Sequence, residues 1–344
     1  MNPTTAVMFP TVAHTTNSDS EPAQFILPDL INDCHYPLRQ NPHRDAVSRA
    51  TNQWLVDVGQ LVEPEIRGYL DADIGGCAAV CYPDADAFHL QVCAEWLIWA
   101  FIVDDWMECG VADVQEVHEY FNLAIRDPIN FDTEQSAALG KLPAPAAQSG
   151  FIRTMGLFFA AVAKNLDDRA KGHMYNLQSF LTLRRNLIGT KPCFALVEFV
   201  AVIDLPDEVV SHPVVMALEE AALDYAIWSN DVFSYNKEQS RGSAPWENIV
   251  AVTMYDRGLD LQGAMDYAGQ MCKDAIQRFE SNRVILPSWE EEVDRQVAIY
   301  VEGLQNVMVG SLNWYPDCPR YVGKDGHAIK RDRIVKLLPK RPLL

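Results

Sequence analysis

The chain has 344 residues, 49% of them hydrophobic, enough for one large core or two modest ones, and this excludes an overall disordered chain. With 28 basic against 47 acidic side chains the formal charge is −19, which excludes broad electrostatic binding to nucleic acid or anionic lipid but leaves room for a local basic pocket. The uninterrupted apolar run over 96–103 stops at Asp104 and is too short to span a bilayer.

In chain order, the first residues lack the basic start and continuous apolar core of a secretory signal, and their Thr, Ser, Pro and Asn content reads as a flexible tail over 1–24. A cytoplasmic protein is expected. A polar stretch with His35, Pro37, Pro42 and His43 leads into a helix over 45–62; Pro83 precedes a helix over 84–109, and an amphipathic helix follows over 111–127. The Pro- and Ala-containing stretch 140–150 reads as a loop. Helical windows continue over 147–165, 166–188, 194–203, 212–239, 244–254, 260–280 and 288–311, ahead of a tail rich in Pro, Gly and Lys. Few segments have strand character, and no strand, Gly-rich turn and helix occur in succession, so an all-α single domain over 25–344 without a nucleotide cofactor is expected. Eight cysteines, at 34, 77, 81, 93, 109, 193, 272 and 318, lack Cys-x-x-Cys spacing and read as reduced thiols packed as small apolar groups. Cys77, Cys81 and His89 do not complete a four-ligand zinc set.

Two polar constellations interrupt these apolar helices. Asp104-Asp105-Trp-Met-Glu108 follows the apolar run directly, and Asp104 and Glu108, four apart, stack on one helical face where two hard oxygen ligands can share divalent cations. Far downstream, Asn230, Ser234 and Glu238 form an i, i+4, i+8 ladder whose amide oxygen, hydroxyl and carboxylate suit one magnesium ion. A solvated polar helix face is the alternative reading of each motif alone. Magnesium between two such walls calls for an anion to complete its octahedron, and diphosphate fits. Bound magnesium would invert the local field of an acidic chain, and Lys237, the pair Arg184-Arg185, and Arg320 with Tyr321 could complete a basic clamp.

This combination resembles the class I terpene cyclases, and specifically the fungal, mushroom-type sesquiterpene synthases. The likeness rests on Asp104-Asp105-x-x-Glu108, Asn230-Asp-x-x-Ser234-x-x-Lys237-Glu238, Arg184 upstream and Arg320-Tyr321 near the C-terminus, and Leu27-Pro28-Asp29-Leu30, Asn41-Pro42-His43 and Arg184-Arg185-x-x-x-Gly189-x-x-Pro192 extend it from about residue 25 onward. The resemblance implies a helical bundle around a deep apolar cavity, with three magnesium ions at its mouth. It makes Asp104 and Glu108 ligands on one wall and Asn230, Ser234 and Glu238 ligands on the other. Arg184 becomes the diphosphate sensor, Lys237 and Arg320 diphosphate clamps, Tyr321 a hydrogen-bond donor to diphosphate, and Asp105 the salt-bridge partner of a closing Arg320. Glu108 stands where aspartate is more usual, and Leu187 where related enzymes often carry Thr.

The implied reaction ionises farnesyl diphosphate, releases diphosphate and cyclises the cation to a hydrocarbon or alcohol, in a monomer or homodimer. Cavity walls for such a cation should be aromatic and aliphatic, and Phe101, one turn before Asp104, and Trp314, shortly before Arg320, are the leading candidates. Trp96, Trp99, Phe158, Phe159, Phe194 and Phe199 read as core packing. A chain-elongating prenyltransferase would present a second aspartate-rich motif where Asn, Ser and Glu stand here; a protonation-initiated cyclase would need a fuller acid motif than Asp71-Ala-Asp73; and a noncatalytic helical interaction protein would carry two metal ladders without a task for them.

Overall fold

The computed structural model describes residues 23–58, 61–108, 113–126, 145–173, 175–242 and 247–340. In chain order the elements are β1 (Gln24–Ile26), α1 (Leu30–Asp33), α2 (Arg44–Val58), α3 (Glu63–Asp71), α4 (Ile74–Cys81), α5 (Ala87–Glu108), α6 (Val114–Arg126), α7 (Pro145–Ala170), α8 (Leu177–Leu187), α9 (Thr190–Ala201), α10 (Asp207–Val210), α11 (Pro213–Arg241), α12 (Ile249–Arg257), α13 (Leu261–Val284), α14 (Glu291–Trp314), α15 (Pro319–Val322), α16 (Gly326–Asp332) and β2 (Ile334–Lys336).

The expected all-α class holds, with one small addition. β1 pairs antiparallel with β2, Gln24 opposite Lys336 and Ile26 opposite Ile334, so the start and end of the described chain meet in a two-stranded ribbon. β1 therefore starts at the last residue of the segment expected to be a tail, whose residues 1–22 lie outside the described residues. A strand of three residues is too short for an alternating pattern to register in the sequence.

α11 is the axis of the bundle. Pro213 opens it at the first turn, where a missing N–H costs nothing, and Gly242 ends it in the left-handed conformation with φ 75°. Its middle, from Ala221 to Ser229, is buried throughout, and the helix packs most extensively on α13. α5 packs against α2 and α4, and α14 against α4, α9 and α11. Within α5 the segment Ala87–Trp106 has the length and apolar content of a membrane span, well beyond the run 96–103, yet more than half of it is buried inside the bundle.

Several element boundaries differ from expectation for local reasons. The helix expected over 166–188 is split: α7 runs on to Ala170, Gly172 turns the chain at φ 66°, and the Asn176 side chain caps α8 by accepting from the Ser179 N–H. The loop expected over 140–150 gives way to helix from Pro145, a residue suited to a first turn. α4 was not expected at all. Its sequence Ile-Gly-Gly-Cys-Ala-Ala-Val-Cys has no polar face to set a period, and all but Val80 are buried. Asp73 caps this helix, accepting from the Gly76 N–H and pairing with Arg44, which gives the Asp71-Ala-Asp73 segment a structural task. The seven described cysteines are all free, six of them buried; Cys109 lies outside the described residues.

Gly310 of α14 lies against the backbone of α4, and a Cβ placed there would come within 2.6 Å of the Val80 carbonyl oxygen. Backbone cannot yield as a side chain would, so Gly310→Ala should lower unfolding free energy by about 1–3 kcal/mol in urea denaturation. An unchanged midpoint would show that the α4–α14 contact has slack.

Candidate active site

α5, α7, α8, α9, α11 and α14 surround a cavity of about 230 Å³. Ten of the twelve residues singled out from sequence line it: Phe101 and Asp104 from α5, Arg184 from the last turn of α8, Asn230, Ser234, Lys237 and Glu238 from α11, Trp314 at the end of α14, and Arg320 and Tyr321 from α15. Asp105 backs this wall by holding Arg320. Glu108 closes α5 at the backbone level, and its side chain lies outside the described residues.

Helical periodicity explains the arrangement. Leu97, Phe101 and Asp104 follow one stripe of α5 from the apolar interior to the polar mouth, and Asn230, Ser234 and Glu238 do the same on α11. Trp96 and Phe158, read as core packing, prove to be cavity walls; which side of a uniformly apolar helix faces a void depends on its neighbours.

Arg184 is nearly buried and held by Asp231, with Nη2 2.6 Å and Nε 3.1 Å from Oδ1, while Nη2 also lies 3.4 Å from Asn230 Oδ1. Burial disfavours the guanidinium's charge, but the Asp231 carboxylate more than offsets this and keeps it protonated. Beyond Arg184, α8 ends at Leu187, and the chain turns through Ile188 and Gly189, whose φ of 68° suits glycine, into α9; Leu187, Ile188 and Gly189 all line the cavity. Arg185 leaves the clamp expected for it. It forks onto Asp224 at 2.7 and 2.8 Å, where Arg278 of α13 also binds, because the next residue along a helix points about 100° away.

On the opposite wall Arg320 makes a two-pronged pair with Asp105 at 2.5 and 2.8 Å and lies 5.2 Å over the Phe101 ring. Asp105 also accepts from the Tyr69 hydroxyl at 2.8 Å and from Arg241 at 3.3 Å. Burial pushes the Asp105 carboxyl up, but Arg320 outweighs it and holds the group well below the usual carboxylate range. Phe101 and Trp314 face each other at 5.6 Å between ring centres, Tyr321 meets Trp314 at 5.6 Å and Tyr315 at 5.2 Å, and the Trp314 N–H is fixed on the Ala72 carbonyl at 2.9 Å. The mouth of the cavity thus changes from aromatic to ionic within one helical turn.

The donor set fits magnesium. Among the described residues no three His, Cys, Asp or Glu side chains converge as a metal cage. The α11 ladder offers an amide oxygen, a hydroxyl and one carboxylate, with the half-exposed Asp104 on the facing wall. All of these donors are hard oxygens, too few and too weakly charged for a dedicated cage, which would suit an ion that keeps waters and shares substrate phosphates. Burial raises the Glu238 carboxyl above its ordinary value, against the pull of Lys237, and a bound cation would favour its charged form.

Some polar residues of the site escaped the sequence reading. Asn165 of α7 donates to Glu247 at 3.0 Å, both on the cavity lining, and Asn248 donates to Glu238 at 2.9 Å. Asn248 precedes an apolar run and is recognisable from sequence as a helix cap; its reach to Glu238 depends on how α12 folds back on α11.

Residues 133–278 match the family model described as terpene synthase family 2, C-terminal metal binding. Sesquiterpene synthase Agr1 of Cyclocybe aegerita is 40% identical over 93% of this chain and 95% of its own length. Alpha-muurolene synthase of Coprinopsis cinerea is 37% identical over 96% of this chain and 82% of its own. Among solved structures, germacradien-4-ol synthase from Streptomyces citricolor superposes with a TM-score of 0.70 at 20% identity, over 82% of this chain and 96% of that one, and a-eudesmol synthase with 0.69 at 21%, over 82% and 97%. On the strength of these full-length likenesses, the chain belongs to the fungal sesquiterpene synthases, lyases with the class I terpene synthase fold.

Proposed function

We propose that residues 25–344 act as one catalytic domain that ionises farnesyl diphosphate with magnesium, releases diphosphate and cyclises the farnesyl or nerolidyl cation to a sesquiterpene hydrocarbon or alcohol. The observation that carries this reading is the shared lining: two oxygen-donor walls and three cations stand at the mouth of a cavity whose interior is aromatic and aliphatic. The choice of a fifteen-carbon substrate is supported by the relatives, which are named sesquiterpene synthases.

In this reading Asp104, with Glu108 four residues on, and the Asn230, Ser234 and Glu238 ladder hold the ions, three by likeness to the family. Bound magnesium supplies positive charge that stabilises the departing diphosphate. Arg184, Lys237, Arg320 and Tyr321 contribute charge-assisted and neutral hydrogen bonds to the diphosphate oxygens, favouring the state in which the carbon–oxygen bond has broken. Asp105 holds Arg320 in position from behind. The aromatic faces of Phe101 and Trp314 flank the cation, attract it while resisting alkylation better than a hydroxyl or thiol would, and exclude water. Leu187, at the end of α8, makes the turn before Gly189 more apolar, and we propose that it alters product selectivity or the timing of closure rather than abolishing activity.

Purified enzyme incubated with farnesyl diphosphate should yield a fifteen-carbon product, seen by gas chromatography with mass detection, only when magnesium is present. A longer prenyl diphosphate formed only with added isopentenyl diphosphate would instead establish chain elongation. Asn230→Ala and Glu238→Ala should each reduce turnover by about 100-fold or more with the fold retained, and full activity in either would sink the metal assignment. Phe101→Ala should redistribute products more than it slows diphosphate release. Asp105→Asn leaves the buried Arg320 without its carboxylate, and should cost about 3 kcal/mol of stability; a loss below about 1 kcal/mol would mean that the pair is replaceable.

A further inference from the structure

Asn248 is 3% exposed, and every hydrogen-bonding group of its side chain is used. Its carbonyl oxygen accepts the Val250 N–H at 2.9 Å, capping α12, and this fixes which end of the amide carries the hydrogens. The two N–H bonds then run to the Asp231 backbone carbonyl at 2.8 Å and to Glu238 Oε2 at 2.9 Å, with Ser234 Oγ at 3.4 Å alongside. The neighbouring Ile249 N–H donates to Asp231 Oδ2 at 2.7 Å, the carboxylate whose other oxygen holds Arg184. One buried helix N-terminus therefore grips the lower ladder and the counterion of the upper arginine together.

We propose that Asn248 is a positioning residue for the metal site: by occupying Oε2 of Glu238 it aims Oε1 at the ion, and by bonding the Asp231 carbonyl it ties that aim to the Arg184–Asp231 pair. A glutamate in the last turn of a helix has three free torsions and would otherwise sample many directions, so fixing one oxygen removes most of the ordering cost of ligation. This inference rests on the metal role of Glu238 proposed above.

Asn248→Ser retains a helix cap but is too short to reach Glu238. Mn²⁺ binding, read by electron paramagnetic resonance in the presence of inorganic diphosphate, should weaken about tenfold in this variant. The magnesium concentration for half-maximal turnover should rise in parallel. Glu238→Gln should weaken Mn²⁺ binding by itself, and adding Asn248→Ser to it should weaken binding no further, since both act through one oxygen ligand. Should Asn248→Ser fail to fold, Asn248→Thr keeps a capping hydroxyl with more of the side-chain volume and is likewise too short to reach Glu238, and the same weakening of Mn²⁺ binding is expected. Unchanged Mn²⁺ affinity with only a lowered melting temperature would reduce Asn248 to a structural cap and overturn the inference. Undiminished binding in Glu238→Gln would overturn the metal role of Glu238 itself, and a loss in Glu238→Gln without one in Asn248→Ser would overturn the positioning role alone.

Discussion

Asp231 is fully buried on α11 and is compensated from two directions, by the Arg184 guanidinium and by the N–H of Ile249 at the start of α12. An ionised carboxylate at such a place would be untenable without both, and an arginine beside an apolar cavity would be equally so without its carboxylate. The pair lets a permanent cation stand at the edge of a hydrocarbon-lined space. It also joins three helices, because the arginine comes from α8, the carboxylate from α11 and the N–H from α12. Arg185, the next residue, repeats the attachment through Asp224, so the end of α8 is pinned to α11 at two points before the chain turns at Gly189.

The facing wall uses the same device. In both places a dipeptide carries a cavity-facing donor followed by a counterion: Asp104 then Asp105 on α5, Asn230 then Asp231 on α11. Consecutive helix residues diverge by about 100°, so the donor can face the cavity while the counterion points toward the helix or loop that brings a cation. Arg320 arrives from α15 on one side and Arg184 from α8 on the other. The acidic residues that adjoin the donor residues in sequence therefore hold the cations that flank the mouth.

Much of this was legible in the sequence because it depends on spacing along single helices. The α11 ladder and the stripe from Phe101 to Asp104 survive into three dimensions because helical periodicity is set locally. Relations between helices were legible only where a family resemblance supplied them, as for Arg320 and Asp105. Asn248 reaching Glu238, Trp96 facing the void and Arg185 turning to Asp224 each depend on the rotation of one helix against another. α4 was invisible for a different reason: a helix buried on all sides has no polar period to betray it.

Charge at the mouth is nearly balanced, although the chain as a whole is strongly acidic. Among the described residues, the carboxylates of Asp104, Asp105, Asp231, Glu238 and Glu247 stand with Arg184, Lys237, Arg320 and Arg241. Such a balance gives neither a lone divalent cation nor a lone diphosphate a deep electrostatic well. Bound together they neutralise each other, and each completes the partners that the other lacks. In the proposed reading, the amide and hydroxyl of the α11 ladder fit this balance: more negative charge would retain metal without substrate, whereas neutral oxygens would leave the final ligands to be supplied by the phosphates. The acidity of the remaining surface does not oppose binding of the anion, because surface charges are screened by salt over about 8–10 Å whereas the mouth is set by its own near-neutral balance.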